Sequence, residues 1–352
     1  MTAKENLRLL FRCSGNFALG LGHLARCSVI AENLAPGKSL FLIEADPLAQ
    51  AFLERKGLPY RLSAAPETDE AGAAEALEAA AAFGARTVVL DQKDNSLALV
   101  GTLKNAGLLV VDFEDRGPGR DLADLLIDPH IYPGTPESEY SGEAVCGFGP
   151  DWAILEPAYR KLHSRAGNPG TRNRSKPAVS EITLACGGSD PAGLAAKILR
   201  LLERRSEKFR IKLASGPLST GEYPACRNHR VKIFRSPSTL APLLHGSDLA
   251  LVSGGITMLE SLCLGIPTVV VPQHEEQYYN AAKLTSLGAL LLTPPPADST
   301  FRVGLEVVLN EVFENAKLRA RLSARGWETV DGGGLERFRE LLAYAGCQAV
   351  CS

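Results

Sequence analysis

The chain has 352 residues, of which 45% are hydrophobic and 22% charged, a composition typical of soluble globular proteins rather than disordered or membrane-spanning ones. Its 38 basic residues nearly balance its 40 acidic residues, which argues against a broad nucleic-acid-binding surface. At this length, two domains of ordinary size are expected.

The eight cysteines are scattered and form no Cys-x-x-Cys pair, so we predict reduced thiols, most of them in the core, rather than a zinc site. The first residues have neither the apolar run nor the cleavage site of a signal peptide. No stretch approaches the length of a membrane span. We therefore expect a cytoplasmic protein without a transmembrane segment.

The first half of the chain alternates apolar strands with helix-length segments, which indicates a parallel sheet covered on both faces. A strand, a glycine-containing loop and a helix open the series, and a strand at residues 108–111 is predicted to close it. The predicted strands lie at residues 7–11, 40–43, 87–90 and 108–111, and the predicted helices at residues 71–83 and 97–106.

Ligands of such sheets bind at the carboxyl ends of the strands. This rule directs attention to the loop at residues 20–23 and to the acidic segments at residues 91–94 and 112–115. Acidic residues at strand ends also cap helices, so the sequence leaves open whether the two acidic segments line a site or cap helices.

Residues 164–180 are rich in Ser, Arg, Asn, Gly, Lys and Pro and are predicted to link an N-terminal domain, residues 1–163, to a C-terminal domain, residues 181–352. The last helix is expected to pack back on the first domain. In the second domain we predict strands at residues 182–185, 211–213, 231–234, 249–252, 267–271 and 289–292, and late helices at 301–309, 317–325 and 335–344. The chain is thus predicted to form two doubly wound, Rossmann-like α/β domains that face one another across a cleft.

A glycine-histidine motif follows the first strand. Gly20 and Gly22 allow a substrate to approach closely, His23 lies at the strand-to-helix junction, and Arg26 lies about one helical turn further on. An imidazole at this point can take a proton from water near neutral pH. The motif leaves open the alternative that His23 caps the helix.

An apolar strand of the second domain ends at a turn formed by Ser253, Gly254 and Gly255, and a helical pattern follows. Glycine permits a sharp turn with exposed N–H groups, and the start of a helix carries a partial positive charge, which together suit a diphosphate. Thr257 lies in the first turn of that helix. Glu260 lies one to two turns in, where its carboxylate can accept hydrogen bonds from a ribose diol.

The first strand of the second domain ends in a matching loop. In the functional interpretation, Gly187, Gly188 and Ser189 contact a nucleotide phosphate through backbone N–H groups and the Ser hydroxyl. In the structural alternative the loop is a capped turn, with Ser189 or Asp190 capping a helix that begins at Pro191.

The polar segment after the fifth strand of this domain is rich in groups that hydrogen-bond sugar hydroxyls, among them Glu276, Gln277 and Asn280. A helix is expected to begin near Gln277. The alternative of a metal bound by His274, Glu275 and Glu276 lacks a fixed ligand spacing, so no metal site is predicted.

Together these motifs resemble the PseG/SpsG-like nucleotide-sugar hydrolases of pseudaminic acid biosynthesis and are similar to the MurG-type GT-B glycosyltransferases. The resemblance spans nearly the whole chain. The hydrolase likeness rests on residues 11–12, 20–27, 124–128, 147–155, 186–191 and 331–334. The likeness to the transferase donor site rests on residues 253–260, 265–267, 277–281 and 287–289.

The resemblance implies a GT-B-like fold with UDP held mainly by the C-terminal domain. Gly254 and Gly255 would take the diphosphate, Glu260 the ribose, and backbone near Phe234 the uracil. His23 would be the general base that activates water for inverting attack on the anomeric carbon of a UDP-sugar. The resemblance implies no cofactor and no metal, so activity is expected to survive EDTA.

The chain departs from the hydrolase pattern at positions around the sugar. Residues 91–93 are Asp-Gln-Lys where the hydrolases carry Asp-x-Tyr, Glu276 and Gln277 replace Asn-Gln, and Ser14 replaces an Asp. The fold and the nucleotide therefore follow from the sequence more directly than the sugar or the acceptor.

Three functions are compatible with these motifs. The first is hydrolysis of a UDP-activated amino or deoxy sugar in biosynthesis of a nonulosonic acid or surface glycan. The second is transfer of the sugar to an acceptor, and the third is nucleotide-sugar binding without catalysis. UDP release without an acceptor distinguishes the first from the second, and binding without any product marks the third. The oligomeric state does not follow from the sequence.

Overall fold

The computed structural model describes residues 7–13, 15, 20–64, 70–131, 140, 142–166, 178–219 and 222–351, with side chains to residue 347. The chain divides into two compact units. Unit 1 comprises Met1–Leu155 and Gly333–Ser352, and unit 2 comprises Glu156–Gly332.

Each unit is built on a parallel sheet, with seven strands described in unit 1 and six in unit 2. The strands of unit 1 are β1 Leu9–Cys13, β2 Ser39–Glu44, β3 Tyr60–Ser63, β4 Thr87–Asp91, β5 Leu109–Phe113, β6 Leu125–Asp128 and β7 Val145–Phe148. Those of unit 2 are β8 Glu181–Ala185, β9 Arg210–Ser215, β10 Arg230–Arg235, β11 Leu249–Val252, β12 Thr268–Val270 and β13 Leu291–Leu292. The orders are β3-β2-β1-β4-β5-β6-β7 and β10-β9-β8-β11-β12-β13, so both sheets have the doubly wound, Rossmann-like topology.

Helices cover both sheets. In chain order they are α1 Gly22–Leu34, α2 Pro47–Lys56, α3 Glu70–Phe83, α4 Leu97–Asn105, α5 Pro157–Ala166, α6 Leu194–Leu202, α7 Ala241–Leu244, α8 Ile256–Cys263, α9 Glu275–Ser286, α10 Phe301–Glu314, α11 Ala316–Thr329 and α12 Gly334–Cys351. No helix in the described part of the chain combines the length and the apolar character needed to cross a membrane.

The two faces of the unit 1 sheet bury different cores because successive strand residues point to opposite faces. One core includes Phe11, Phe41 and Phe113 together with residues of α1, α2 and α12. Phe338 of α12 meets Phe113 edge to face at 5.4 Å. The other core packs Leu and Val residues of the strands against the small side chains of the Ala-rich helix α3 and against α4.

Unit 2 has a core of its own, in which the apolar sides of α6 and α10 pack on the central strands. Leu194, Ile198 and Leu202 recur at four-residue spacing on α6 and are fully buried, which is the pattern of a helix that covers a sheet. Four cysteines, Cys13, Cys27, Cys186 and Cys263, are buried, and the seven described cysteines are free thiols.

Several element predictions were wrong, most clearly at the end of the first series, where β6 and β7 extend the sheet beyond residue 111. The connection from β5 to β6 contains a 3-10 helix, Pro118–Leu122, instead of an α-helix, so the sequence of this connection lacks the apolar spacing of an α-helix. The edge strand β7 is only partly buried, and the edge strand β3 is largely exposed. Neither edge strand shows the continuous apolar run by which the other strands were predicted.

Other predicted boundaries also shift. Residues 164–166 of the predicted linker end helix α5, and residues 167–177 lie outside the described residues. The helix predicted from Pro191 begins at Leu194, the one predicted near Gln277 begins at Glu275, and the last predicted strand shortens to Leu291–Leu292.

Candidate functional site

The predicted site loops lie at equivalent places in the two sheets. In each sheet the strand order reverses direction between two central neighbours, β1 and β4 in unit 1 and β8 and β11 in unit 2. Ligands of open α/β sheets bind outside the carboxyl ends of the strands at this reversal point. The glycine-histidine loop follows β1, and the two glycine pairs follow β8 and β11.

In unit 1, His23 is bonded to an aspartate that ends the neighbouring strand. The parallel register sets Cys13, the last residue of β1, opposite Asp91, the last residue of β4. The Nδ1 atom of His23, in the first turn of α1, lies 2.6 Å from Oδ1 of Asp91. Leu21 is the N-cap residue of α1 and no described side chain, that of His23 included, caps this helix, so the alternative that His23 is a helix cap is wrong.

Arg26 fixes the Asp91 carboxylate from the same face of α1. Its Nε donates to Oδ2 of Asp91 at 2.8 Å and its Nη2 donates to Oδ1 at 2.6 Å. Because both carboxylate oxygens accept bonds from one planar guanidinium, the geometry of Asp91 is tightly defined. Asp91 is fully buried, and Arg26 is 7% exposed.

Glu114 completes this charged network on the next strand. It follows β5, it is ion-paired with Nη1 of Arg26, and its carboxylate lies 3.6 Å from Nε2 of His130. The backbone of Glu114 is in the left-handed region with φ of 54°. Such a conformation is unusual for a residue with a side chain, and outliers of this kind cluster at functional sites.

The pKa values of these groups follow from burial and from their partners. Burial alone raises the pKa of Asp91, but the charges and hydrogen bonds of Arg26 and His23 together outweigh it, and the pKa lies well below its usual range. Burial alone lowers the pKa of His23, but the charge and hydrogen bond of Asp91, with the charge of Glu114, outweigh it, and the pKa is raised above its usual value. Since an ionised carboxylate only accepts hydrogen bonds, Nδ1 of His23 carries the proton and Nε2 has a lone pair available to accept one.

The other acidic strand ends of unit 1 hold loops. Asp115 accepts hydrogen bonds from the backbone N–H groups of Asn95 and Gly117, and Asp112 accepts one from the amide of Asn95 at 3.0 Å. Burial and the neighbouring Asp115 raise the pKa of Asp112. None of these aspartates caps α4, whose N-cap is Ser96.

In unit 2, the carboxyl ends of β8, β9, β11 and β12 converge. A Cβ on Gly187 would lie 3.3 Å from the hydroxyl oxygen of Ser253, and a Cβ on Gly216 would lie 2.2 Å from the carbonyl oxygen of Gly188. The Nε2 atom of Gln273 donates to the carbonyl of Cys186. The two predicted glycine pairs are therefore neighbours, and Gly216 and Gln273 join them although the sequence motifs did not single them out.

Gln277 contacts the Ser-Gly-Gly turn directly. Its Oε1 accepts the N–H groups of Gly254 at 3.1 Å and of Gln273 at 3.0 Å. A Cβ on Gly254 would lie 2.8 Å from the backbone oxygen of Gln277, whereas the nearest atom to a Cβ on Gly255 is 3.9 Å away. Gly254 is thus required by the close approach of α9, and the space beside Gly255 is open.

The helix after this turn has an uncapped start and a buried carboxylate. Gly255 is the N-cap residue of α8, and no side chain caps this N-terminus among the described residues. Thr257 is buried in the first turn. Burial raises the pKa of Glu260 to about 7, and the negative charge of Glu156 adds to this, against the opposing effect of the neighbouring Tyr159 and Thr257 hydroxyls. The helix therefore presents backbone donors at its start and an acceptor further along.

The remaining predicted residues are placed less centrally. Ser189 is buried, and it is Asp190 whose carboxylate accepts the N–H groups of Leu194 and Ala195, so the structural alternative applies to Asp190. Phe234 is half-buried near the end of the edge strand β10, 4.9 Å from Nζ of Lys232.

Two predicted residues of α9 differ in exposure, since Glu276 is exposed and Asn280 is half-buried. In the part of the chain that the structure describes, no group of three or more His, Cys, Asp or Glu side chains is arranged to hold a metal ion. His274, Glu275 and Glu276 therefore do not form such a group.

Part of unit 2 matches a known protein family: residues 183–322 match the glycosyltransferase family 28 C-terminal domain. The chain is 24% identical over 349 residues to the spore coat polysaccharide biosynthesis protein SpsG of Bacillus subtilis, an alignment that covers 93% of this chain and 95% of SpsG. It is 29% identical over 183 residues to the uncharacterized protein MJ1062 of Methanocaldococcus jannaschii. That alignment covers 48% of this chain and only 36% of MJ1062.

Several solved structures are similar in fold to this protein over nearly its whole chain. Acinetobacter baumannii MurG is 15% identical with a TM-score of 0.66, over 96% of this chain and 99% of MurG. Anabaena Alr3699/HepE in complex with UDP is 15% identical with a TM-score of 0.57, over 96% of this chain and all of that one. The predicted fold class is confirmed: two Rossmann-like units whose structural neighbours are GT-B glycosyltransferases such as MurG.

Proposed function

We propose that the protein hydrolyses a UDP-sugar and that His23 is the general base. The observation that carries this proposal is the bonding of Nδ1 of His23 to the buried Asp91, whose carboxylate is held ionised by Arg26. This arrangement selects the tautomer in which Nε2 accepts a proton, and it stabilises the imidazolium that forms.

In the proposed reaction a water oxygen attacks the anomeric carbon while the bond from that carbon to the diphosphate oxygen breaks. The water proton goes to Nε2 of His23, UDP departs as the leaving group, and the sugar configuration is inverted. The proton then leaves His23 for bulk water. The partial positive charge at the N-terminus of α8 would stabilise the charge that develops on the departing diphosphate.

Unit 2 is the proposed nucleotide-binding unit. In our proposal, Gly255 and Thr257 at the uncapped start of α8 and the neighbouring Gly187, Gly188 and Ser253 surround the diphosphate. This is supported by the convergence of these loops, by the match to the family 28 C-terminal domain, and by the fold shared with HepE, which was solved with UDP.

Other residues of unit 2 would hold the rest of the substrate. Glu260 would accept hydrogen bonds from the ribose, and backbone near Phe234 would contact the uracil. Gln277, together with Asn280 and Glu276 on α9, would contact the sugar. The sugar class we propose is an amino or deoxy sugar of a surface glycan or nonulosonic acid, which fits the name of the relative SpsG, a spore coat polysaccharide biosynthesis protein.

A glycosyltransferase is the second candidate. It is favoured by the family 28 match of residues 183–322 and by Glu276 and Gln277 in place of the Asn-Gln of the hydrolases. The same His23–Asp91 pair would then deprotonate an acceptor hydroxyl instead of water.

The decisive experiment is a panel of UDP-amino and UDP-deoxy sugars, with and without candidate acceptor glycans, in which free UDP is measured. Hydrolysis predicts UDP release without an acceptor and an equal amount of free sugar. Release that requires the acceptor would replace our proposal with the transferase. Binding of UDP-sugars with no product under any condition would exclude both enzymes.

A further inference from the structure

Two neighbouring polar side chains of unit 2 each have a buried oxygen atom without a hydrogen bond. Within the described residues, the hydroxyl of Tyr159 and Oε2 of Glu260 are both buried and neither makes a hydrogen bond of acceptable geometry. Tyr159 is 0% exposed. Buried polar groups are nearly always paired, so two adjacent exceptions require an explanation.

The packing of two helices makes these side chains neighbours. Helices α5 and α8 lie side by side, and Nδ1 of His163 lies 2.8 Å from the carbonyl oxygen of Cys263. Tyr159 precedes His163 by four residues and Glu260 precedes Cys263 by three, which is one turn back along each helix. The Tyr159 hydroxyl therefore lies beside the Glu260 carboxylate, with Thr257 and Glu156 close to the same carboxylate.

The chemistry of the pair is complementary. A phenol donates one hydrogen bond, whereas an ionised carboxylate only accepts and has two oxygens. A donor that bonds to one side of the Glu260 carboxylate favours the ionised form. The remaining lone pairs of the carboxylate then accept hydrogen bonds on the opposite side. Glu156 acts in the opposite direction because a second negative charge disfavours ionisation.

We propose that Tyr159 is a positioning residue that holds Glu260 ionised and oriented to accept hydrogen bonds from the ribose hydroxyls of UDP. This inference rests on the proposed function, in which Glu260 is the ribose ligand. Tyr159 itself contacts neither the nucleotide nor the reacting atoms.

The proposal predicts a particular pH dependence of UDP binding. Only ionised Glu260 is a full acceptor, so affinity falls as the pH falls through the pKa of Glu260, which is about 7. Removing the Tyr159 hydroxyl takes away a group that lowers this pKa, so the midpoint moves to higher pH. In Tyr159→Phe, UDP should bind about 2- to 5-fold more weakly at pH 7, the effect of a pKa shift of about half a unit to one unit on a group that is half ionised at that pH, and equally well at high pH.

The test is calorimetric titration of UDP across about pH 5 to 9 with the wild type, Tyr159→Phe and Glu260→Gln. The matched control is Tyr60→Phe, which removes an exposed phenol that donates to the carboxylate of Glu54 at 2.8 Å in unit 1. The control should bind UDP like the wild type at every pH. In the Glu260→Gln background, Tyr159→Phe should cause no further pH-dependent change.

A loss of affinity in Tyr159→Phe that is the same at every pH, or no loss at all, would overturn the positioning role. If Tyr159→Phe does not fold, the wild type still provides a test. The affinity for UDP should fall at low pH with a midpoint near pH 7, whereas the affinity for 2′,3′-dideoxyuridine diphosphate, which lacks the ribose hydroxyls, should show no such midpoint. The same midpoint with both ligands overturns the inference. Failure of the wild type to bind UDP at any pH refutes the proposed function instead.

Discussion

The two proposed site regions, one in each unit, are built from different parts of the polypeptide. In unit 1 the site consists of side chains: His23, Asp91, Arg26 and Glu114 form a buried charged network at the ends of β1, β4 and β5. In unit 2 it consists mainly of backbone, because the loop after β8 approaches the loop after β11 at Gly187 and Ser253, and α9 approaches Gly254 so closely that a Cβ would crowd Gln277.

This difference follows from what each unit is proposed to do. A general base needs a particular atom with a particular proton affinity, and only a side chain with a fixed partner supplies that. A diphosphate needs several N–H donors in a curved arrangement, and backbone supplies them best where glycine removes the side chain. Substitutions that change charge but not shape should therefore impair the unit 1 site. Substitutions that add a methyl group to a glycine should impair the unit 2 site.

The largest expected effect is that of His23→Ala. Removing the base should lower kcat by about 10²- to 10⁴-fold, the usual contribution of general acid–base catalysis, while UDP affinity stays unchanged. The measurement is UDP release under saturating substrate together with calorimetric binding of UDP. His245→Ala, at an exposed histidine of unit 2, is the control and should retain full activity. Undiminished kcat in His23→Ala would show that unit 1 contributes no base.

The next effect is that of Asp91→Asn, which preserves shape and removes charge. We expect kcat to fall by about 10²-fold or more, because the amide no longer fixes the productive tautomer of His23. Wild-type activity should fall as the pH falls through the pKa of His23, since the protonated imidazole cannot accept a proton. Asp91 is what raises that pKa against burial, so residual activity of the variant should persist to lower pH.

The pH–rate profiles of wild type and Asp91→Asn provide the measurement. Asp94→Asn, three residues on at an exposed position, is the matched control and should reproduce the wild-type profile. An acid limb at the same pH in wild type and Asp91→Asn would mean that the limb belongs to another group.

The smallest expected effect distinguishes the two glycines of the turn after β11. Gly254→Ala places a methyl group 2.8 Å from the backbone oxygen of Gln277, so it should lower the free energy of unfolding by about 1–3 kcal/mol, the usual cost of overpacking. Gly255→Ala meets its first neighbour at 3.9 Å and should leave unfolding unchanged. Denaturant titration of both variants measures this difference, and equal stabilities would contradict the close packing of α9 on the turn.

The sequence by itself determined the local features of this protein. Continuous apolar runs alternating with helical periods predicted two Rossmann-like domains, and glycine-containing strand ends predicted loops that allow close approach, at His23 and at Ser253 to Gly255. These features depend on residues within one turn or one strand of each other, so the sequence pattern contains them. The partly exposed strands β3 and β7 lack such a pattern, and β6 has an apolar run of only three residues, so all three were missed.

Tertiary structure alone decided which residues are partners. Asp91 lies 68 residues from His23, Gln277 lies 23 residues from Gly254, and Tyr159 is separated from its neighbour Glu260 by four strands of unit 2, β8 to β11. Several aspartates lie at strand ends, but it is Asp91 that pairs with His23, because the parallel register places the end of β4 beside the end of β1. The physical reason is that the chemistry of a side chain depends on its neighbours in space, and those are set by strand order and helix packing rather than by distance along the chain.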